Sequence, residues 1–198
     1  MKFARIARGA LPAETVALAQ ALIGCALVRD CPDGRRAGRI VEVEAYIPGD
    51  PASHAFRGET QRNAAMFLGP FHSYVYRIYG TSMCINVTSE TAGVGAAVLI
   101  RALEPVEGLR LMELRRRTTR MRDLCRGPGR LCQALDIDLR LDAVDLLEGD
   151  SVWLARAGGK RPVVASSTRI GITKAADRTL RFYEPDNPFV SGPKWLSP

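Results

Sequence analysis

Apolar and polar residues alternate along Arg39-Ile-Val-Glu-Val-Glu-Ala-Tyr46, which predicts a strand over 39–46. A period of two sets Val41, Val43 and Ala45 on one face and Ile40, Glu42, Glu44 and Tyr46 on the other. The same alternation over 73–79 predicts a strand with Tyr74, Tyr76 and Ile78 facing one way and Val75, Arg77 and Tyr79 the other. Gly80-Thr81-Ser82 reads as a turn, so Tyr79 stands at or near a hairpin tip. Further strands are predicted at 25–30, joined to 39–46 by the turn Pro32-Asp33-Gly34, at 83–88 and 96–102, and near 151–156, 163–170 and 179–183. Residues 11–24 read as a helix with Pro12 suited to its first turn. Pro105 is expected to open a helix through about Arg117, and Pro128 a shorter one ending near Leu135.

Antiparallel-looking strands with a few helices argue an α+β fold. Without a repeat or low-complexity linker, residues 1–198 read as one domain. The connection Ile47–His72, rich in Pro, Gly, Ser and Asn, is long enough to suggest function.

A content of 46% hydrophobic and 25% charged residues is that of a soluble globular chain. The formal charge of +7 invites a polyanion, although an arginine excess also follows from a GC-rich genome. Its distribution says more. Nine arginines face four acids between residues 101 and 130, whereas Glu42, Glu44, Asp50 and Glu59 stand against Arg57 alone between 41 and 60. Carboxylates add nothing to polyanion affinity and need another reason. Five cysteines without a CxxC pair, and only two histidines, make structural zinc or a disulfide framework poor readings. No signal peptide is apparent, and the apolar run Ala21–Val28 is far too short to span a membrane. A reducing, intracellular setting is expected.

Glu42 and Glu44 on one strand face lie about 6.5 Å apart at Cα. Alone, the pair fits salt-bridging carboxylates on a solvated strand better than a general base. Tyr74, Tyr76 and Tyr79 shift the balance, because aromatics beside a basic surface suit base stacking and a tyrosine at a hairpin tip lies outside any core. Arg101 fits either the exposed end of an apolar strand or the partner that keeps a carboxylate ionised. Gly127-Pro128-Gly129-Arg130 offers free N–H groups and a helix N-terminus to a phosphate, or is an ordinary loop-to-helix join. Arg115-Arg116-Arg117 reads as a solvated helix end. The chain has no GxSxG, Walker loop, HExxH or deaminase motif, and no lysine between residues 3 and 159 to form a Schiff base.

The segments 39–46, Ala52-Ser-His54, Arg62-Asn63, Met66-Phe67, Tyr74-Val-Tyr76 with Tyr79-Gly80, and Cys84-Ile-Asn86 stand in a telling order. They continue with Leu99-Ile-Arg-Ala-Leu-Glu-Pro105, Gly127-Pro128 with Leu131–Leu135, and Arg169-Ile-Gly171 with Leu180–Tyr183. Together they resemble the alkyladenine (3-methyladenine) DNA glycosylase family over nearly the whole chain.

The resemblance implies a monofunctional base-excision enzyme that flips damaged purines out of duplex DNA and hydrolyses the N-glycosidic bond. No metal or cofactor is expected, a monomer is expected of a one-site enzyme, and the expected setting is the bacterial cytoplasm. Glu44 is implied as the residue that activates water, and Arg101 as the one that helps hold it. Tyr46, His54 and Tyr76 are implied as walls of the base pocket, Asn86 as the group that disfavours guanine, and Tyr79 as the wedge left in the duplex. Arg130, Gly127 and Arg169 are expected at DNA phosphates. The implied architecture is a curved, mostly antiparallel sheet with surrounding helices, like the carboxy-terminal domain of formyltransferases.

Three positions depart from the family pattern: Gln61, the run Thr81-Ser82-Met83 behind the wedge, and Leu68–His72. They bear on lesion search and range. Two rival readings stand beside this one. A non-catalytic module for distorted nucleic acid leaves Glu44 without a role, and a strand-nicking glycosylase lacks a central lysine.

Overall fold

The strand expected around residue 42 is the longest in the molecule, and the sheet is built on both of its edges. The computed structural model describes residues 3–159 and 162–192; Lys2, Lys160 and Lys194 lie outside them. In chain order the elements are β1 (Ala4–Arg5), α1 (Thr15–Leu22), β2 (Cys25–Cys31), β3 (Gly34–Tyr46), β4 (Ser73–Ile78), β5 (Ser82–Thr88) and β6 (Ala97–Glu107). They continue with α2 (Leu109–Arg116), α3 (Met121–Leu124), α4 (Pro128–Leu135), β7 (Val152–Arg156), β8 (Ala165–Ser167) and β9 (Arg181–Tyr183). The strands form one antiparallel sheet in the order β1-β7-β2-β3-β6-β5-β4, with β9 paired to β3 and β8. Among the described residues, one sheet of nine strands with four α-helices is the α+β fold that the pattern predicts.

One edge of β3 is divided. Residues 34–39 pair with β2, and Glu42–Glu44 pair with β9, while β6 runs along the opposite edge. One face of the sheet buries Val43, Ala45, Ile85, Val98, Ile100 and Leu103 against Leu18 and Leu22 of α1 and Leu131 and Leu135 of α4. Fully burying each such side chain contributes roughly 1.5–3 kcal/mol. The opposite face holds the polar and aromatic residues considered below.

Four expectations need correction. The parity read from 39–46 fails at its start: Ile40 joins Val43 and Ala45 in the main core, and Val41 packs with Ala102 and Tyr183 on the other face. Register shifts between Ile40 and Val43 insert bulges that reset the alternation. Pro105 does not open a helix. It lies in β6 opposite Gly38, at another register shift and beyond the last β5 pair at Leu99, where a missing N–H is tolerated. A side chain at Gly38 would meet Leu103 Cβ at 2.7 Å, so this crossing requires glycine. The first helix starts later than Pro12, with the Glu14 carboxylate accepting from Val16 N and Ala17 N as its cap. The strands near 163–170 and 179–183 are shorter than expected.

Candidate active site

Registration brings distant residues into one row. Tyr74 pairs with Asn86, Asn86 with Leu99, Leu99 with Glu44, and Glu44 with Arg181. At strand spacing, the three steps from Glu44 to Tyr74 cover roughly 14 Å. Tyr46 extends the site face along β3, and Tyr76 does so along β4.

The two bulges between Ile40 and Val43 in the β3–β6 ladder serve this face. Arg101 is skipped in the register between Ala102, opposite Glu42, and Ile100, opposite Val43. Its guanidinium therefore sits between the two carboxylates, with Nε 3.1 Å from Glu42 Oε1 and Nη1 3.1 Å from Glu44 Oε1. Arg101 is thus no exposed strand end. Burial opposes its charge, but the two glutamates outweigh that and keep it protonated.

The glutamates are both fully buried, against the expectation of a solvated face, yet their surroundings differ. Glu42 also accepts from Arg181 Nε at 2.7 Å and Ser191 N at 2.6 Å. Burial pushes its carboxyl up, but Arg101 and Arg181 prevail and hold it below the ordinary carboxylate value. Glu44 accepts from Ile170 N at 2.7 Å on Oε1 and from the Tyr46 hydroxyl at 3.0 Å on Oε2. With Arg101 that makes three donors, and an ionised carboxylate offers about four acceptor sites. One remains.

The groups that bond Glu44 border a cavity of about 350 Å³. Glu44 does not line it; Tyr46, Arg101 and Ile170, the three groups that bond Glu44, do. The expected Tyr46, His54, Tyr76, Asn86 and Tyr79 all line it, and Tyr74, not expected in the pocket, adds a fourth ring to the aromatic wall. Tyr74 and Tyr76 stack at 5.3 Å between centroids, and His54 meets Tyr76 edge-on at 4.6 Å. His54 Nδ1 lies 2.9 Å from the Tyr74 hydroxyl. Burial, with Arg62 nearby, lowers the His54 pKa from its ordinary value of 6.5, so the ring is neutral at pH 7. Burial raises Tyr46 and Tyr76 well above the ordinary phenol value and Tyr74 to about 12, so all three remain hydroxyls. Asn86 donates through Nδ2 to Tyr74 O at 2.9 Å, which fixes its amide.

At the rim, Tyr79 occupies the three-residue turn between Ile78 and Ser82 at φ 51° and is 89% exposed. Gly127 precedes α4, whose Pro128 lines the cavity, and Arg130 is exposed with Asp123 3.4 Å away. Arg169 is not a surface cation. Its side chain has no exposed surface and is held by Asp50, so it presents nothing to a phosphate. Arg110, Arg115, Arg117, Arg120 and Arg122 of the basic stretch are exposed like Arg130, and Arg116 and Arg126 are half-buried, but several are engaged by the protein itself. Arg115 pairs with Asp136, Arg116 bonds Leu124 O at 3.0 Å, and Arg126 bonds Val190 O at 2.7 Å.

Sequence reasoning missed the Ile170 N–H, the Tyr46 hydroxyl as a partner of Glu44, and Asp50. Only Asp50 carried a signal, as an acid in a basic chain. Among the described residues no group of three His, Cys, Asp or Glu could hold a metal ion, and no helix is long and apolar enough to cross a membrane.

The model of the methylpurine-DNA glycosylase family matches residues 10–188. The chain belongs to this family. Its relatives include a protein of Mesorhizobium japonicum, 54% identical over 96% of this chain and 92% of its own length. A protein of Paraburkholderia phytofirmans is 47% identical over 96% and 89%, and one of Methanoculleus marisnigri 49% identical over 90% and 94%. All three carry the provisional name 3-methyladenine DNA glycosylase. As a methylpurine-DNA glycosylase family member, the chain is a DNA glycosylase, a hydrolase of DNA repair. The row from Tyr74 to Glu44 is its candidate active site.

Proposed function

We propose that this glycosylase excises alkylated purines, 3-methyladenine among them, by flipping the nucleotide into the aromatic cavity and hydrolysing its N-glycosidic bond with water activated by Glu44. A base inside the duplex stack cannot be reached, so extrusion comes first, at a cost of a few kcal/mol. Tyr79, exposed at the rim, fills the gap. Gly127 and Arg130 take up phosphate at the N-terminus of α4, beside the rim residue Pro128.

A cationic alkylpurine suits this cavity because Tyr46 and Tyr76 offer ring faces and neutral His54 adds no opposing charge. The single observation that carries the reading is Glu44. Its carboxyl group accepts from Ile170 N, the Tyr46 hydroxyl and Arg101, all three from residues that line the cavity, which leaves one of about four acceptor sites. A water there gives its proton to Glu44 while its oxygen bonds C1′ of the sugar. The C1′–N bond breaks, and its electron pair neutralises the departing cationic base. Glu44 also stabilises the positive charge that develops on the sugar. Positioned general-base catalysis contributes roughly 10²–10⁴ in rate. Lys174, the one lysine among the described residues, does not line the cavity, and the product in this reading is an intact strand with an abasic site.

The test is incubation, without added metal, of duplexes each carrying one defined lesion. Free alkylated base should appear, with strand breakage only after alkali. Binding to lesion duplexes without base release would return the chain to a non-catalytic damage-binding role.

A further inference from the structure

Arg169 and Asp50 lie 119 residues apart in sequence, and neither side chain has any exposed surface. Arg169 Nη1 bonds Asp50 Oδ2, and Nη2 lies 3.2 Å from Oδ1, so the fork engages both carboxylate oxygens. The same guanidinium donates to Ala45 O at 3.1 Å and Ala175 O at 3.3 Å, and its Cζ stands 4.8 Å from the centre of the Tyr46 ring. Asp50 Oδ1 in turn accepts from Ala52 N at 3.0 Å.

These contacts converge on the chemistry from three sides. Ala45 separates Glu44 from Tyr46 on β3. Ala52 opens the segment that leads to His54 in the cavity wall. Ile170, the next residue after Arg169, donates the N–H that holds Glu44 Oε1 at 2.7 Å. Excision as described above uses neither Asp50 nor Arg169. A buried ion pair is also often matched in stability by apolar residues of similar volume, so stability alone explains it poorly.

We propose that Asp50 and Arg169 are positioning residues. Their pair fixes the Ile170 N–H and the Tyr46 hydroxyl on Glu44, which aims the open acceptor site of Glu44 at the attacking water. The inference rests on Glu44 as the general base. An arginine is required because its planar fork reaches Asp50, Ala45 O and Ala175 O together, which a lysine ammonium on its flexible stem does not.

The experiment is single-turnover excision on a duplex with one alkylated purine, expressed per lesion-binding molecule so that unfolded protein does not count. The proteins are the wild type, R169K, D50N, E44Q and the double variant E44Q/R169K. R169K keeps both buried charges. Displacement of catalytic groups on the ångström scale costs about 10²-fold, so R169K and D50N should each slow excision by that order with lesion affinity largely kept. E44Q/R169K should be no slower than E44Q, because a residue acting through Glu44 has nothing left to position. A general structural defect multiplies with the E44Q loss instead.

Wild-type rates in R169K and D50N, or multiplied losses in the double variant, would overturn the proposal. If R169K does not fold, D50N and E44Q/D50N decide by the same two criteria. A wild-type rate in E44Q removes the general-base reading itself, and the positioning role falls with it. A slow E44Q beside a normal R169K removes only the positioning role.

Discussion

Tyr46 donates its phenolic hydrogen to the carboxylate of Glu44, 3.0 Å away and two positions earlier on the same face of β3. Burial and the Glu44 charge both raise the Tyr46 pKa, so the group stays a donor across the working pH range. One side chain thus has two separable parts: a ring in the cavity wall and a hydroxyl bonded to Glu44.

Tyr46→Phe separates them. The ring is kept, so lesion affinity should hardly change. Glu44 loses one of three donors and part of its orientation, and single-turnover excision should fall by about tenfold, the order of one hydrogen bond to a charged group. Loss of affinity with an unchanged rate would place the hydroxyl on the base rather than on Glu44.

Glu42 is the anchor of the same cluster. Between Arg101 and Arg181, both buried, E42Q should destabilise the fold by on the order of 3 kcal/mol while leaving chemistry per folded molecule less affected than E44Q. The folded pKa of Glu42 is depressed below its ordinary 4.5. Its contribution to stability is therefore fully present above that value and is lost as pH falls through the folded pKa. Urea unfolding from pH 7 downward should show a steeper loss below 4.5 in the wild type than in E42Q. Parallel curves would mean that Glu42 is not ionised in the folded protein.

Tyr79 is held out of the core at a positive φ next to Gly80, also at positive φ. Tyr79→Ala should remove a stacking contribution of roughly 1–3 kcal/mol on duplex substrate and little on single strands, where no gap needs filling. Because extrusion costs unpairing and unstacking, a lesion in an unstable pair should be cut faster than the same lesion well paired. Equal losses on both substrates would make Tyr79 part of the pocket.

Arg130 is exposed, and its 3.4 Å contact with Asp123 leaves it available to phosphate. Arg130→Ala should flatten the dependence of log K on log salt by about 0.9, the value of one phosphate contact. An unchanged slope would assign Arg130 to the helix end alone.

The sequence made periodic and punctuated features legible. Pro128 marks α4 correctly, and the alternations that set Glu44 beside Tyr46 and Tyr74 beside Tyr76 hold, because no bulge falls inside either pair. Pro105 misled because proline in a helix's first turn and proline at a strand irregularity look alike until the partner strand is known. The bulges at 41 and 101 left no local mark, although they bring Arg101 between its two glutamates. Arg169 looked like a loop cation free for phosphate because its partner, Asp50, lies more than a hundred residues away. Burial is a property of the assembled sheet, and a single stretch of chain does not display it.

Excision by E44Q measures the central claim most directly. On a duplex carrying one alkylated purine, under single-turnover conditions, the variant should lose about 10²-fold or more in rate while binding the lesion duplex nearly as tightly as the wild type. Excision at the wild-type rate would show that Glu44 does not activate the water.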